Sequence, residues 1–180
     1  MAHPGQVIEN PCTGERIVFL HTRRETAGEF ADFDHFLRPG PSAFAEHVQL
    51  NQEERFEIVS GAAHYRLDGQ ERTAGPSEVV VIPPGAYHVN CWTEGPAELH
   101  LRHSFRPALN VDEFFETLFA LARLGKTNAK GEVNLLQLAV IGRAIESQTF
   151  GAGIPIALQR LSLPVLAGLG RLLGYQARYT

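Results

Sequence analysis

His47-Val48-Gln49-Leu50-Asn51-Gln52-Glu53-Glu54-Arg55-Phe56-Glu57-Ile58-Val59-Ser60-Gly61 is the stretch on which the reading of this chain turns. Alternation over residues 43–50 puts Ala43, Ala45, His47 and Gln49 on one face of an extended strand, and Phe44, Glu46, Val48 and Leu50 on the other. His47 and Gln49 then project side by side, roughly 6.5 Å apart along the strand. Glu54 follows a short turn and shares parity with Phe56 and Ile58, an apolar set expected to face inward. A carboxylate on such a face is costly unless it is paired or bound to a metal. Further on, Pro83-Pro84-Gly85-Ala86-Tyr87-His88 sets His88 at the start of another strand, just after a tight turn that fixes its direction.

Outward from these segments the chain divides near Pro107. Before it, the runs 16–20, 43–50, 55–60, 62–67, 78–82, 88–92 and 98–105 are separated by turn residues at fairly even intervals. Short strands spaced in this way predict an antiparallel sandwich or barrel. Asp68-Gly69 is a hairpin turn candidate, because both residues accept the positive φ of a type I′ turn. After Pro107 the period lengthens. Val111, Phe114, Phe115, Leu118, Phe119 and Ala122 recur at helical spacing, with Asn110 and Glu113 as a capping box and Gly125 as the stop. A second helix is predicted over 134–147 and a third over 155–173, kinked or interrupted at Pro164. The expected organisation is therefore a barrel with N-terminal strands over 1–108 and a helical extension over 109–180, packed on the barrel or on a partner subunit.

The order His47-x-Gln49, four residues, Glu54, six residues, Gly61 resembles the first motif of the cupin superfamily, usually His-x-His, three or four residues, Glu, six residues, Gly. Pro83-x-Gly85-x2-His88 resembles the second, usually Pro-x-Gly-x2-His-x3-Asn. The two motifs span about half of the chain, and the stretch between them, with its hairpin, also looks like a cupin. The resemblance implies a mainly β fold, an antiparallel jelly-roll barrel followed by C-terminal α-helices, with a metal or ligand site in its lumen. Three departures stand out. Gln49 replaces the second histidine, Ser77 stands where a glycine is usual, and Trp92 takes the closing asparagine position while Asn90 lies two residues earlier.

Carried onto this chain, the resemblance implies metal ligands at His47, Glu54 and His88, with Gln49 as a weak fourth ligand or a group that orients substrate. Two imidazoles and a carboxylate with open positions suit Fe(II) oxygen chemistry or a catalytic Zn²⁺; Mn and Ni are also compatible. The expected function is a metal-dependent enzyme acting on a small organic metabolite, of oxygenase, isomerase or cyclase type. The alternative is a non-catalytic cupin that binds or senses a small molecule in its barrel.

Asn90 and Trp92 share parity with His88 and are candidates to line the same cavity, while Cys91 is expected to point away. His103 shares a face with Leu99, Leu101 and Phe105 and is a candidate for the lumen or its rim; a packed core histidine is the plainer outcome. His64, alternating with Arg66, reads as solvated, and His35 shows no spacing signal.

Composition bounds the partners. The 180 residues carry 16 Lys+Arg against 20 Asp+Glu, a formal charge of −4, which argues against sequence-independent nucleic-acid binding. Two cysteines, Cys12 and Cys91, make neither a disulfide framework nor a CxxC site. The start, Met-Ala-His-Pro-Gly-Gln, lacks the pattern of an export signal, so a cytoplasmic protein is expected. The apolar run 161–170, bracketed by Arg160 and Arg171, falls well short of the roughly 20 residues that a bilayer crossing requires. A helix packed on the barrel or a subunit is the favoured reading, with peripheral membrane contact as the lesser one. Apolar Phe44, Val48 and Leu50 opposite His47 require cover. Cupins commonly pair through such sheets, so the resemblance implies a homodimer.

Overall fold

The computed structural model describes residues 1–180. Ten strands precede the helices: β1 (Val7–Glu9), β2 (Arg16–His21), β3 (Ala31–Leu37), β4 (His47–Gln49), β5 (Glu53–Ser60), β6 (Ala63–Leu67), β7 (Gln70–Ala74), β8 (Val79–Ile82), β9 (Tyr87–Trp92) and β10 (Leu99–Arg106). They are followed by α1 (Val111–Arg123), α2 (Leu135–Gly142), β11 (Thr149–Gly151) and α3 (Ile156–Leu172). The strands form two antiparallel sheets, in the orders β1-β2-β3-β10-β5-β8 and β11-β4-β9-β6-β7. The fold is mainly β, two facing antiparallel sheets followed by C-terminal helices.

Alternation explains how the sheets close on each other. Phe56 and Ile58 of β5, Leu99 and Leu101 of β10, and Val80 and Ile82 of β8 meet Ala63 of β6, Ala74 of β7 and Cys91 of β9 in one apolar cluster. A second cluster joins Ile17 and Phe19 of β2, Phe33 of β3 and Phe105 of β10 to Val111, Phe115 and Phe119 of α1. The helical aromatics are thus a packing stripe that seals the β1-β2-β3 part of the barrel. The polar site lies between these two clusters.

The Asp68-Gly69 hairpin forms as the dipeptide predicts, with φ of +49° and +75° and Leu67 opposite Gln70. Gly125 stops α1 at φ +67°. Asn110, however, makes no side-chain cap on α1. Its amide reaches instead to the segment after α2, donating to the Ala144 carbonyl and accepting from the Glu146 N–H. The expected capping box is replaced by a long-range tie.

Three further expectations change. Helix α2 ends at Gly142 rather than near 147, and the chain then turns into β11, which adds an edge strand beside β4. The region after residue 108 is therefore not purely helical. Helix α3 runs unbroken through Pro164. Residues 43–45 are not part of β4, so strand alternation does not reach Phe44. That ring packs beside Phe114 and Phe115 instead of lying outside. Cover for Val48 comes partly from within the chain: it pairs with Phe150 of β11, whose ring lies beneath the Arg160 guanidinium of α3.

Candidate metal site

Four strands bring the polar groups together. His47 and Gln49 come from β4, Glu54 from β5, His88 and Asn90 from β9, and His103 from β10. His47 and His88 are register partners across the β4–β9 pair, with ring centroids 4.3 Å apart. Glu54 lies opposite Phe105 on one side and Ile82 on the other, so its carboxylate is 1% exposed.

That carboxylate is the centre of the site. Oε2 accepts from His88 Nε2 at 2.9 Å and from Gln49 Nε2 at 3.3 Å. Oε1 accepts from His103 Nε2 at 2.6 Å and from Asn90 Nδ2 at 2.8 Å. Burial alone raises a carboxyl pKa, but hydrogen bonds and charge from His103 and His88 outweigh it and hold Glu54 well below its ordinary range. Burial likewise opposes a charged His88, and the bond to Glu54 reverses the sign, raising its pKa. His47 is pushed down by burial and by the neighbouring His88.

His47, Glu54 and His88 each offer a ligand atom, and these atoms all lie within 4.8 Å of one another. Both histidines are set for ligation in the same way. His47 Nδ1 lies 2.9 Å from the Ala45 carbonyl and His88 Nδ1 lies 3.1 Å from the Ala86 carbonyl, so Nδ1–H donates to backbone and Nε2 faces inward. Gln49 Oε1 is buried with no hydrogen-bond partner, an acceptor free for a cation. The donor set fits a divalent transition metal. Without one, His88 must carry two protons, because both of its nitrogens face acceptors.

Sequence parity misses part of this cluster. A bulge in β9 sets His64 opposite Trp92 but Arg66 opposite Val89, so one extra residue intervenes on β9. The faces reverse there. Asn90 stays with His88, Cys91 turns into the core, and Trp92 leaves the site to stack on His64 with centroids 5.7 Å apart. The expectations that Trp92 shares the face of His88 and that Cys91 points away are thus both corrected. His64 is half-buried by this stacking rather than fully solvated.

His35 is the residue that sequence reading passed over. Strand β3 alternates cleanly, with Ala31, Phe33, His35 and Leu37 buried and the residues between them half-exposed. That pattern was available in the sequence as the alternation Phe33-x-His35-x-Leu37. His35 Nδ1 lies 3.4 Å from His103 Nδ1, and the two rings are stacked. Burial and the nearby His103 push His35 well below its usual range, so it stays neutral. Its Nε2 lies 3.9 Å from Glu15 Oε1. Burial raises Glu15 to about 7 against a hydrogen bond from Thr13. A buried row, Glu15–His35–His103–Glu54, therefore runs behind the ligand cluster.

Glu15 also borders a cavity of about 400 Å³ formed with Arg38, Cys91, Trp92 and Lys130. None of the three clustered ligands lines it. His47 is the half-buried member of the cluster and lies on its open side, beside Phe44.

Neither a protein-family model nor any curated protein matches this sequence. Solved structures do. A predicted oxalate decarboxylase from Thermotoga maritima is 16% identical, with a TM-score of 0.49 over 58% of this chain and 92% of that one. KdgF from a Halomonas species is 18% identical, with a TM-score of 0.46 over 55% and 84%. The cupin domain of an XRE-family transcriptional regulator from Enterobacter cloacae is 21% identical, with a TM-score of 0.44 over 51% and 95%.

Proposed function

We propose that the protein is a metal-dependent cupin enzyme acting on a small organic metabolite, with His47, Glu54 and His88 holding a divalent Fe, Zn, Mn or Ni ion. The observation that carries this reading is the convergence of two inward-facing Nε2 atoms and a carboxylate oxygen within 4.8 Å, with each histidine oriented by a backbone carbonyl. Such a metal supplies Lewis-acid polarisation of a substrate oxygen or, as iron, activation of O₂. Oxygenation, isomerisation and cyclisation are all compatible with that chemistry.

The chain's own residues divide the remaining work. His103 and Asn90 hold Glu54 Oε1, which turns Oε2 toward His88 and the ligand cluster. Gln49 offers its unpartnered carbonyl as a weaker fourth ligand or as an acceptor for a substrate hydroxyl. Phe44, Phe114 and Phe115 pack together near His47 and give its open side an apolar rim. Substrate approaches past the half-buried His47. An exposed, unpaired Cys12 fits a reducing cytoplasmic setting.

Elemental analysis before and after reconstitution with Fe, Zn, Mn and Ni tests the proposal. One ion per chain is expected, lost in His47→Ala and His88→Ala and merely weakened in Gln49→Ala. Substoichiometric metal under all four conditions overturns it. Oxygen uptake across a metabolite panel then separates oxygenase from isomerase chemistry.

One observation favours a second reading, a non-catalytic binder. Four donors already satisfy Glu54, so the lumen closes as an ion-paired network with no cation. On that reading a chelator leaves both stability and ligand binding unchanged.

A further inference from the structure

Helix α3 is apolar on two opposite faces, and only one of them has a partner within the chain. Its inner face, with Leu163, Leu166 and the buried Ala167, packs against Ala139 and Val140 of α2. Gly170 permits this close crossing, because a Cβ there would meet Val140 and the Leu136 backbone. On the outer face Leu158, Leu161, Val165, Leu169 and Leu172 are 55, 75, 64, 49 and 85% exposed. A helix that is apolar all round is normally buried all round. Five large side chains in one stripe exceed the scattered exposure usual for a monomer and approach the several hundred Å² of an interaction patch.

The order of the stripe identifies its occupant. Its intervals are 3, 4, 4 and 3, the same from either end. A two-fold interface needs this property, because residue i must meet j while j meets i. Laid antiparallel on its own copy about Val165, the stripe sets Leu158 against Leu172, Leu161 against Leu169, and Val165 against itself. No acidic residue occurs in the helix, and its two basic residues, Arg160 and Arg171, lie off the stripe toward the inner side, so no like charges meet at the seam. The neighbouring Gly168, with open space where a Cβ would stand, allows the backbones to approach.

We infer that α3 is the homodimer interface of this protein, formed by antiparallel pairing with its counterpart in a second copy of the chain. This places the contact on the C-terminal helix and not on the outer faces of the barrel sheets.

Sedimentation of the full chain across the micromolar range is expected to show a dimer. Val165→Glu sets two carboxylates against each other at the axis and should weaken association by at least about 100-fold, while circular dichroism and thermal melting of the monomer stay unchanged. In a Cys12→Ser background, Val165→Cys should crosslink to its copy on mild oxidation, whereas Leu158→Cys should crosslink only when mixed with Leu172→Cys. A monomeric wild-type chain, a dimer that survives Val165→Glu, or self-crosslinking of Leu158→Cys in preference to Val165→Cys would overturn the assignment. So would a monomer that floats with phosphatidylcholine–phosphatidylglycerol vesicles through the same stripe, since the partner would then be lipid.

Discussion

Glu54 and Leu161 each sit where their chemistry is unwelcome: the carboxylate is 1% exposed and the leucine 75% exposed. The two regions resolve the conflict differently. Around Glu54 the barrel supplies four donors from three strands, so the charge is answered within the chain. Around Leu161 nothing answers, because α3 has only Ala167 and Gly170 buried among 17 residues. Internal compensation marks a site that the fold was built to hold. Absent compensation marks a surface whose partner lies outside the chain.

The most direct way to break this contrast is to remove the acceptor. Glu54→Ala leaves the buried His88, His103 and Gln49 and the half-buried Asn90 with their donors unanswered. By the cost of orphaning one half of a buried ion pair, it should destabilise the metal-free barrel by about 3–5 kcal/mol and abolish metal retention. Urea unfolding of the chelated protein measures the first effect and elemental analysis the second. A loss below about 1 kcal/mol would mean that water already reaches these groups, as it reaches a surface ion pair.

Glu15 tests the far end of the buried row. Its pKa is about 7 in the fold against 4.5 when exposed. Between those values the native state keeps a proton that the unfolded chain has released, so stability falls as pH rises through the window and levels off above about 7. At 1.36 kcal/mol per unit, the full loss is on the order of 3 kcal/mol. Glu15→Gln removes the titration. It should be neutral near pH 4 and stabilising by up to that amount near pH 8, read from urea midpoints at the two pH values. An equal change at both would tie the effect to packing rather than to ionisation.

The barrel was largely legible in the sequence because period-2 alternation and turn residues are local signals. Glu54, Phe56 and Ile58 share a face as their parity requires, and His103 enters the lumen with Leu101 and Phe105. What stayed hidden depends on non-local structure. The β9 bulge that moves Trp92 to the outer face leaves no mark in residues 87–92, since an extra unpaired residue is defined only against the partner strand. Asn110 looks like a cap until Ala144 and Glu146 arrive from the far side of α2 and compete for its amide. Glu15 carries no spacing signal at all, because only folding brings the β1–β2 turn within reach of His35. His35 differs from these: its alternation was readable, and it was missed because one polar residue hid in an apolar series.

The smallest predicted effect comes from two glycines of α3 whose environments differ. Gly168 faces open space and is helical, so Gly168→Ala should stabilise the helix by about 0.5–1 kcal/mol through backbone entropy alone. Gly170 carries the same propensity gain, but its Cβ would lie 2.7 Å from Val140 Cγ2 and 2.9 Å from the Leu136 carbonyl oxygen. A backbone atom cannot move aside as a side-chain tip can, and overpacking of this kind costs about 1–3 kcal/mol. A clash with fixed backbone offsets the gain, so Gly170→Ala should be net destabilising, by up to about 2.5 kcal/mol. Both substitutions are best read in the Val165→Glu background, where α3 is free of any second copy. Opposite signs in thermal melting, with metal content unchanged in both, locate the constraint at the α2–α3 crossing and separate it from the barrel. Equal stabilisation by the two would show that this crossing yields freely to an added Cβ.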